Sequence, residues 1–262
     1  MARTFILSAN ISMLFAEHPF IDRIDAAAAA GFRAVECQFP YAVASGDIAA
    51  RLAATGLPMN SINTPLGDLS RGEFGFAALP GRESAFREGF ERALAYAARL
   101  GVGTIHCMSG VPDPAARPAA RATFLENLRW AAPLARAAGV ELVIEPLNSR
   151  DRPGYFVSRS DDVVELLAEL GEPNVKLLFD VYHLQIMEGD IFRRMERHWP
   201  HIGHVQIASV PSRREPDEGE LACPAILAEL ARRGWDRFVG AEYNPRGRTE
   251  DGLGWAAPWL KR

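Results

Sequence analysis

The sequence predicts a single (β/α)₈ TIM barrel, an α/β fold of eight parallel strands ringed by helices. Three observations carry this expectation. The chain has 262 residues, near the roughly 250 of such a barrel. Short apolar runs rich in β-branched residues alternate with longer helical patterns, as repeated βα units require. Four of the runs, Leu142–Glu145, Val175–Asp180, His204–Ile207 and Phe238–Glu242, close on or near an oxygen-bearing side chain at intervals of 26 to 36 residues. That interval is about one strand–helix unit.

The elements follow in order. Phe5 to Ala9 reads as the first strand, and a helix near Phe20 to Ala30 closes at Gly31. The second and third strands are expected at Ala34 to Cys37 and Pro58 to Ile62. A long helix spans Glu83 to Leu100, with Phe86, Phe90, Ala93, Leu94 and Ala97 on one face. Gly101 is a helix-ending glycine. Thr104 to Met108 is the fourth strand and Val140 to Glu145 the fifth. The helix between them, near Ala119 to Ala138, contains Pro133, which predicts a kink or break. A helix over Asp161 to Leu170 ends at Gly171. The last three strands end near Asp180, Gln206 and Glu242, and a helix near Pro224 to Arg233 separates the final two. No Gly-x-Gly-x-x-Gly follows the first strand, which argues against a dinucleotide fold. Residues 1–262 read as one domain. The glycine-rich loop from Thr64 to Arg82 has the length of a functional lid.

Hydrophobic residues make up 48 % of the chain, enough for a large core. The formal net charge of −4 gives no electrostatic footprint for nucleic acid. Only two lysines occur, Lys176 and Lys261. Cys37, Cys107 and Cys223 are scattered, without a Cys-x-x-Cys pair, which fits a reducing cytoplasm and no zinc knuckle. The opening residues, Met1 to Phe5, carry no long apolar leader, and no run is long enough to span a membrane. The expected partner is a small anionic substrate, with neither nucleic acid nor membrane; a homo-oligomer is compatible with the sequence.

In a barrel the active site lies at the C-terminal strand ends. Glu145, Asp180, Gln206 and Glu242 fall there, on strands five to eight. Three carboxylates in one mouth repel unless a cation joins them. Oxygen donors without cysteine favour Mg²⁺ or Mn²⁺ over Zn²⁺. Taken singly, each is more readily a solvated strand end; four in phase are not. His183 can reach the same mouth and bond a substrate oxygen, or serve as a capping or supporting histidine. Arg213 can grip an anionic substrate, or face solvent. His204, read with the opposite strand parity to Gln206, is expected to point away from the site. His106 is expected in the core. His18, His198 and His201 have no evident partner. No Gly-x-Ser-x-Gly elbow or Walker loop supports a serine nucleophile or a nucleotide site.

Several motifs resemble the hydroxypyruvate isomerase family, within the xylose-isomerase-like barrel superfamily. They include Ser8-Ala9-Asn10-Ile11-Ser12-Met13-Leu14-Phe15, Phe39-Pro40-Tyr41, Ile144-Glu145-Pro146-Leu147-Asn148, Asp180-Val181-Tyr182-His183, Gly203-His204-Val205-Gln206-Ile207-Ala208, Gly240-Ala241-Glu242-Tyr243 and Gly252-Leu253-Gly254-Trp255. The resemblance runs over nearly the whole chain. It implies one divalent ion on Glu145, Asp180, Gln206 and Glu242, with Glu145 and Glu242 as the two proton-transfer residues. It places His183 and Arg213 at substrate-contacting positions. Gln206 stands where related ketose epimerases usually carry histidine, which points to the isomerase branch. The implied reaction interconverts hydroxypyruvate and tartronate semialdehyde by metal-assisted proton transfer through an enediolate; similar members act on 2-oxo-tetronate. Two other classes are weighed beside it. A metallonuclease related to apurinic endonucleases would need more histidine ligands and a basic face. A non-catalytic metal-binding barrel would be expected to have lost one of the glutamates.

Overall fold

A computed structural model describes residues 5–260. Met1 to Thr4, read above for a leader, and Lys261 lie outside the described residues. Eight parallel strands form a nearly closed barrel in the order β2-β1-β8-β7-β6-β5-β4-β3. They are β1 (Ile6–Asn10), β2 (Ala34–Glu36), β3 (Ser61–Asn63), β4 (Thr104–His106), β5 (Glu141–Ile144), β6 (Val175–Asp180), β7 (Ile202–Ile207) and β8 (Phe238–Ala241). Backbone bonds from Cys37 to Ser61 and from Asn63 to Gln38, at 3.1 and 2.9 Å, close the seam between β2 and β3.

The surrounding helices are α1 (Arg23–Ala29), α2 (Ser45–Thr55), α3 (Glu83–Leu100), α4 (Arg117–Ala137), α5 (Ser160–Leu170), α6 (Val181–Met187), α7 (Ile191–His198) and α8 (Cys223–Arg232). α3 has the expected bounds because Gly101 takes the left-handed turn, φ 69°, that stops it. α4 runs through Pro133 as one helix, so the expected break is absent. Three helices had no counterpart in the sequence reading: α2, and the pair α6 and α7 between β6 and β7.

Strand alternation sorts the side chains into two layers. Leu7, Ala9, Val35, Ile105, Val205 and Ile207 join the apolar core. Ser8, Asn10, Glu36, His106, His204 and Gln206 alternate with them and are also buried. Barrel interiors are usually filled by branched apolar residues; here polar side chains take their place, from His204 beside a cavity at the N-terminal strand ends up to the C-terminal mouth.

In the helical layer Phe90 is fully buried and packs edge-on to Trp130 at 5.6 Å. Phe90→Ala is expected to destabilise the fold by about 3–5 kcal/mol through lost burial and a residual cavity. Denaturant unfolding measures this; a loss below about 1 kcal/mol would show that the layer collapses around the gap.

The 64–82 segment forms a strap over the mouth. Gly75 adopts φ 98°, where an added Cβ would lie 2.5 Å from the Met108 carbonyl oxygen. Phe74 beside it is capped by the Arg152 guanidinium, 3.8 Å above its ring.

Candidate active site

Glu145 follows β5, Asp180 ends β6, Gln206 lies in β7 and Glu242 follows β8. All four are buried. Glu145, Glu242, His183 and Arg213 line one cavity of about 590 Å³. Asp180 and Gln206 sit against that wall. Asp180 Oδ2 is 3.7 Å from His183 Nε2, and Gln206 Nε2 donates to Glu242 Oε2 at 2.5 Å.

No loop separates β6 from α6. Asp180 Oδ1 accepts the Tyr182 backbone N–H at 2.8 Å, capping the helix. Its other oxygen, Oδ2, has no hydrogen-bond partner, and neither do Glu145 Oε1 and Gln206 Oε1. Buried acceptors left in this way cost free energy unless something outside the chain pairs with them.

Electrostatics agree with the geometry. Burial pushes the Glu145 carboxyl well above its ordinary range, and repulsion from Glu242 and Asp180 adds to the shift. Burial also pushes Glu242 up to about 8, with Arg213 opposing and Asp180 and Glu36 reinforcing the rise. Asp180 is raised by burial despite Arg213. Three crowded carboxyls can all ionise when a cation stands among them. Arg213 supplies one positive charge: its Nη2 is 2.7 Å from Glu242 and 3.8 Å from Asp180. The guanidinium rests on the Tyr182 ring at 4.8 Å, and its Nε has no partner.

Glu145, Asp180 and His183 bring three ligand atoms within 4.8 Å of one another, a grouping able to hold a metal ion. The histidine's tautomer bears on its share. The Asn148 backbone N–H, 3.1 Å away, donates to His183 Nδ1. Burial, then Arg213 and His106, hold the ring's pKa well below its ordinary value. The proton of the neutral ring, assigned from that donor, is therefore on Nε2, which faces Glu145 and Asp180 at 3.6 and 3.7 Å. Nε2–H in this state is a donor to an oxygen and has no lone pair for a metal. The oxygens of Glu145, Asp180 and Gln206 fit a hard cation better.

The structure also supplies residues that sequence reasoning passed over. Glu36, at the end of β2, is 1 % exposed. His204 Nε2 lies 2.8 Å from its Oε2, and Gln206 Nε2 donates to its Oε1 at 2.7 Å. His204 therefore points into the barrel, contrary to the expectation above. Residues two apart on a strand share a face; the β6–β7 register shift falls before His204 and does not alter this. Burial raises the Glu36 pKa, but the His204 charge and hydrogen bonds from His204, Gln206 and Asn10 outweigh it and leave the carboxyl below its ordinary value. Asn10 Nδ2 joins Glu36 to Glu242, at 3.1 and 2.7 Å. His106 is buried as expected, yet its Nδ1 is 3.3 Å from Glu145, and burial, then His204, lower its pKa to about 3. Gln38 donates to Glu242 at 2.9 Å. Glu36, Asn10 and His106 all end strands, the same mark that singled out the four oxygen donors. His18 and His198 pair with Glu250 and Asp161, at 3.3 and 3.2 Å.

The fold and the mouth define a (β/α)₈ barrel with an acidic, metal-capable site at its C-terminal face. A family model described as Xylose isomerase-like TIM barrel matches residues 24–262. The 2-oxo-tetronate isomerase of Cupriavidus necator is 50 % identical over 97 % of this chain and 98 % of its own length. The hydroxypyruvate isomerase of Escherichia coli is 39 % identical over 96 % and 98 %. A crystal structure described as AP endonuclease, family 2, from Brucella melitensis superposes with a TM-score of 0.96, at 44 % identity over 98 % of this chain and 99 % of that one. The chain belongs to the xylose isomerase-like TIM barrel family, alongside hydroxypyruvate and 2-oxo-tetronate isomerases.

Proposed function

We propose that the protein is an isomerase of short 2-oxo-3-hydroxy acids, interconverting hydroxypyruvate and tartronate semialdehyde. The observation that carries this is the placement of Glu145 and Glu242 on different staves around one cavity. A 1,2-shift of a carbonyl along a carbon chain needs a proton removed at one carbon and delivered at its neighbour. Two carboxyls flanking one ligand meet that need.

One glutamate takes the proton from C3 of hydroxypyruvate. The electron pair forms the C2–C3 double bond of an enediolate. The other glutamate delivers a proton to C2, and the C3 hydroxyl hydrogen passes to the C2 oxygen, leaving a hydroxyl at C2 and the carbonyl at C3. His183 Nε2–H and Arg213 Nε are donors free to hold the substrate oxygens. Glu145, Asp180, Gln206 and Glu242 would hold one divalent ion, Mg²⁺ ahead of Mn²⁺. When bound, it would polarise the carbonyl and acidify the neighbouring C–H.

A four-carbon substrate, 2-oxo-tetronate, is the second reading. The Cupriavidus necator relative favours it, and a cavity of about 590 Å³ has room for one more hydroxymethyl group. Phe39, Leu66, Leu69 and Phe74 line the cavity together with Arg152 and Arg213, a lining suited to a small anionic molecule. Three buried free thiols fit a reducing, cytoplasmic setting; no helix among the described residues is long and apolar enough to cross a membrane.

The test is proton NMR in heavy water with each acid in turn. Conversion with deuterium entering at the carbon beside the carbonyl is expected for at least one. Conversion of neither, or cleavage of an abasic duplex in its place, overturns the reading.

A further inference from the structure

We infer that Glu36 is the positioning residue that sets which way the Gln206 amide faces. The inference rests on the ion assigned to the mouth in the proposed function. An amide has an acceptor end and a donor end, and packing alone distinguishes them poorly. Here both hydrogens of Gln206 Nε2 have acceptors, Glu36 Oε1 at 2.7 Å and Glu242 Oε2 at 2.5 Å. Gln206 Oε1 is left buried and without a partner in the chain. Were the amide turned over, an oxygen would face two carboxylates. Glu36, with Glu242 on the other hydrogen, thus leaves the acceptor end as the free one, available to a cation.

Glu36 is itself held on several sides. His204 stands 2.8 Å from Oε2, Asn10 donates to Oε1 at 3.1 Å, and Asn60 lies 3.4 Å from Oε2. β8 carries glycine at 240, where a Cβ would lie 2.4 Å from Glu36 Oε1. A bare backbone at that point leaves the room the carboxylate occupies. The same layer reaches Glu242, because Asn10 and Gln206 both donate to its Oε2. Glu36 therefore acts through Gln206 and touches no substrate. Supporting groups of this kind typically change metal affinity about 10–100-fold when replaced.

Calorimetric titration of the metal-free protein with MnCl₂ tests this without reference to turnover. Glu36→Gln presents an amide that can donate to Gln206 and turn it over; Mn²⁺ affinity is expected to fall about 10–100-fold. Glu36→Asp keeps the negative charge but withdraws the carboxylate from Gln206 and His204 alike, and an intermediate loss is expected. Gln206→Glu sets a third carboxylate against Glu36 and Glu242 and is expected to weaken binding. The double variant, Glu36→Gln with Gln206→Glu, restores a donor facing an acceptor and is expected to bind at least about tenfold more tightly than Gln206→Glu alone. A merely structural role gives no such non-additivity. Wild-type affinity in Glu36→Gln, or additive losses in the double variant, overturns the inference while leaving the ion in place. A wild-type chain that binds no Mn²⁺ removes the ion from the proposed function and this inference with it.

Discussion

Glu145→Gln and Glu242→Gln are each expected to lower conversion of hydroxypyruvate by about 10²–10⁴-fold, the usual contribution of one positioned acid or base. An amide of the same shape cannot carry a proton. The two variants should nonetheless differ. Starting from hydroxypyruvate, the glutamate that removes the C3 proton can return a deuteron to the same carbon without its partner. One variant is therefore expected to keep washing deuterium into C3 while failing to make tartronate semialdehyde, and the other to lose both. NMR in heavy water separates the cases and assigns the two roles. Unfolding is not expected to confuse the result. Burial, reinforced by neighbouring carboxyls, raises the pKa of both, so a neutral amide removes a buried charge and relieves repulsion, while Glu242→Gln also gives up the ion pair with Arg213. If either variant converts substrate at the wild-type rate, that glutamate is no proton carrier.

Removal of divalent ions with EDTA is expected to lower turnover by about 10³-fold or more, and Mg²⁺ or Mn²⁺ to restore it. Lewis-acid polarisation supplies several kcal/mol, and each 1.36 kcal/mol is about tenfold in rate. The structural ground is the set of buried, unpartnered oxygens on Glu145, Asp180 and Gln206. A stripped sample retaining full turnover would leave Arg213, which already bridges Glu242 and Asp180, as the cation of the site. Restoration by Zn²⁺ alone would overturn the preference for hard oxygen-ligated ions.

Much of this architecture was legible in the residues. Helix α3 was read to its ends because five apolar side chains share one face and Gly101 stops it. Helix α2 was not, because its buried residues are only Ile48 and Leu52, too few for a clear period. Helices α6 and α7 are seven and eight residues long; α6 starts directly after Asp180, so no loop signal divides it from the strand.

The site divides in the same way. Glu145, Asp180, Gln206 and Glu242 each close or nearly close an apolar run, and the structure brings all four to one mouth. Glu36 bears the same mark in Ala34-Val35-Glu36, but the apolar run reads on to Cys37, which places the carboxylate inside the expected strand and not at its end. His204 was misplaced by an error of parity, not by lack of signal. The tautomer of His183 was out of reach, since it depends on the backbone N–H of Asn148, 35 residues away in sequence.

The junction at Asp180 bears on how such a protein can change its substrate. One carboxylate both terminates a stave and begins a helix, so its free oxygen is registered to the backbone with no slack. Insertions at that joint would misplace the reactive oxygens. The 64–82 strap carries no such duty. Laboratory evolution toward longer acids should therefore gather its successful changes in the strap and leave the staves alone.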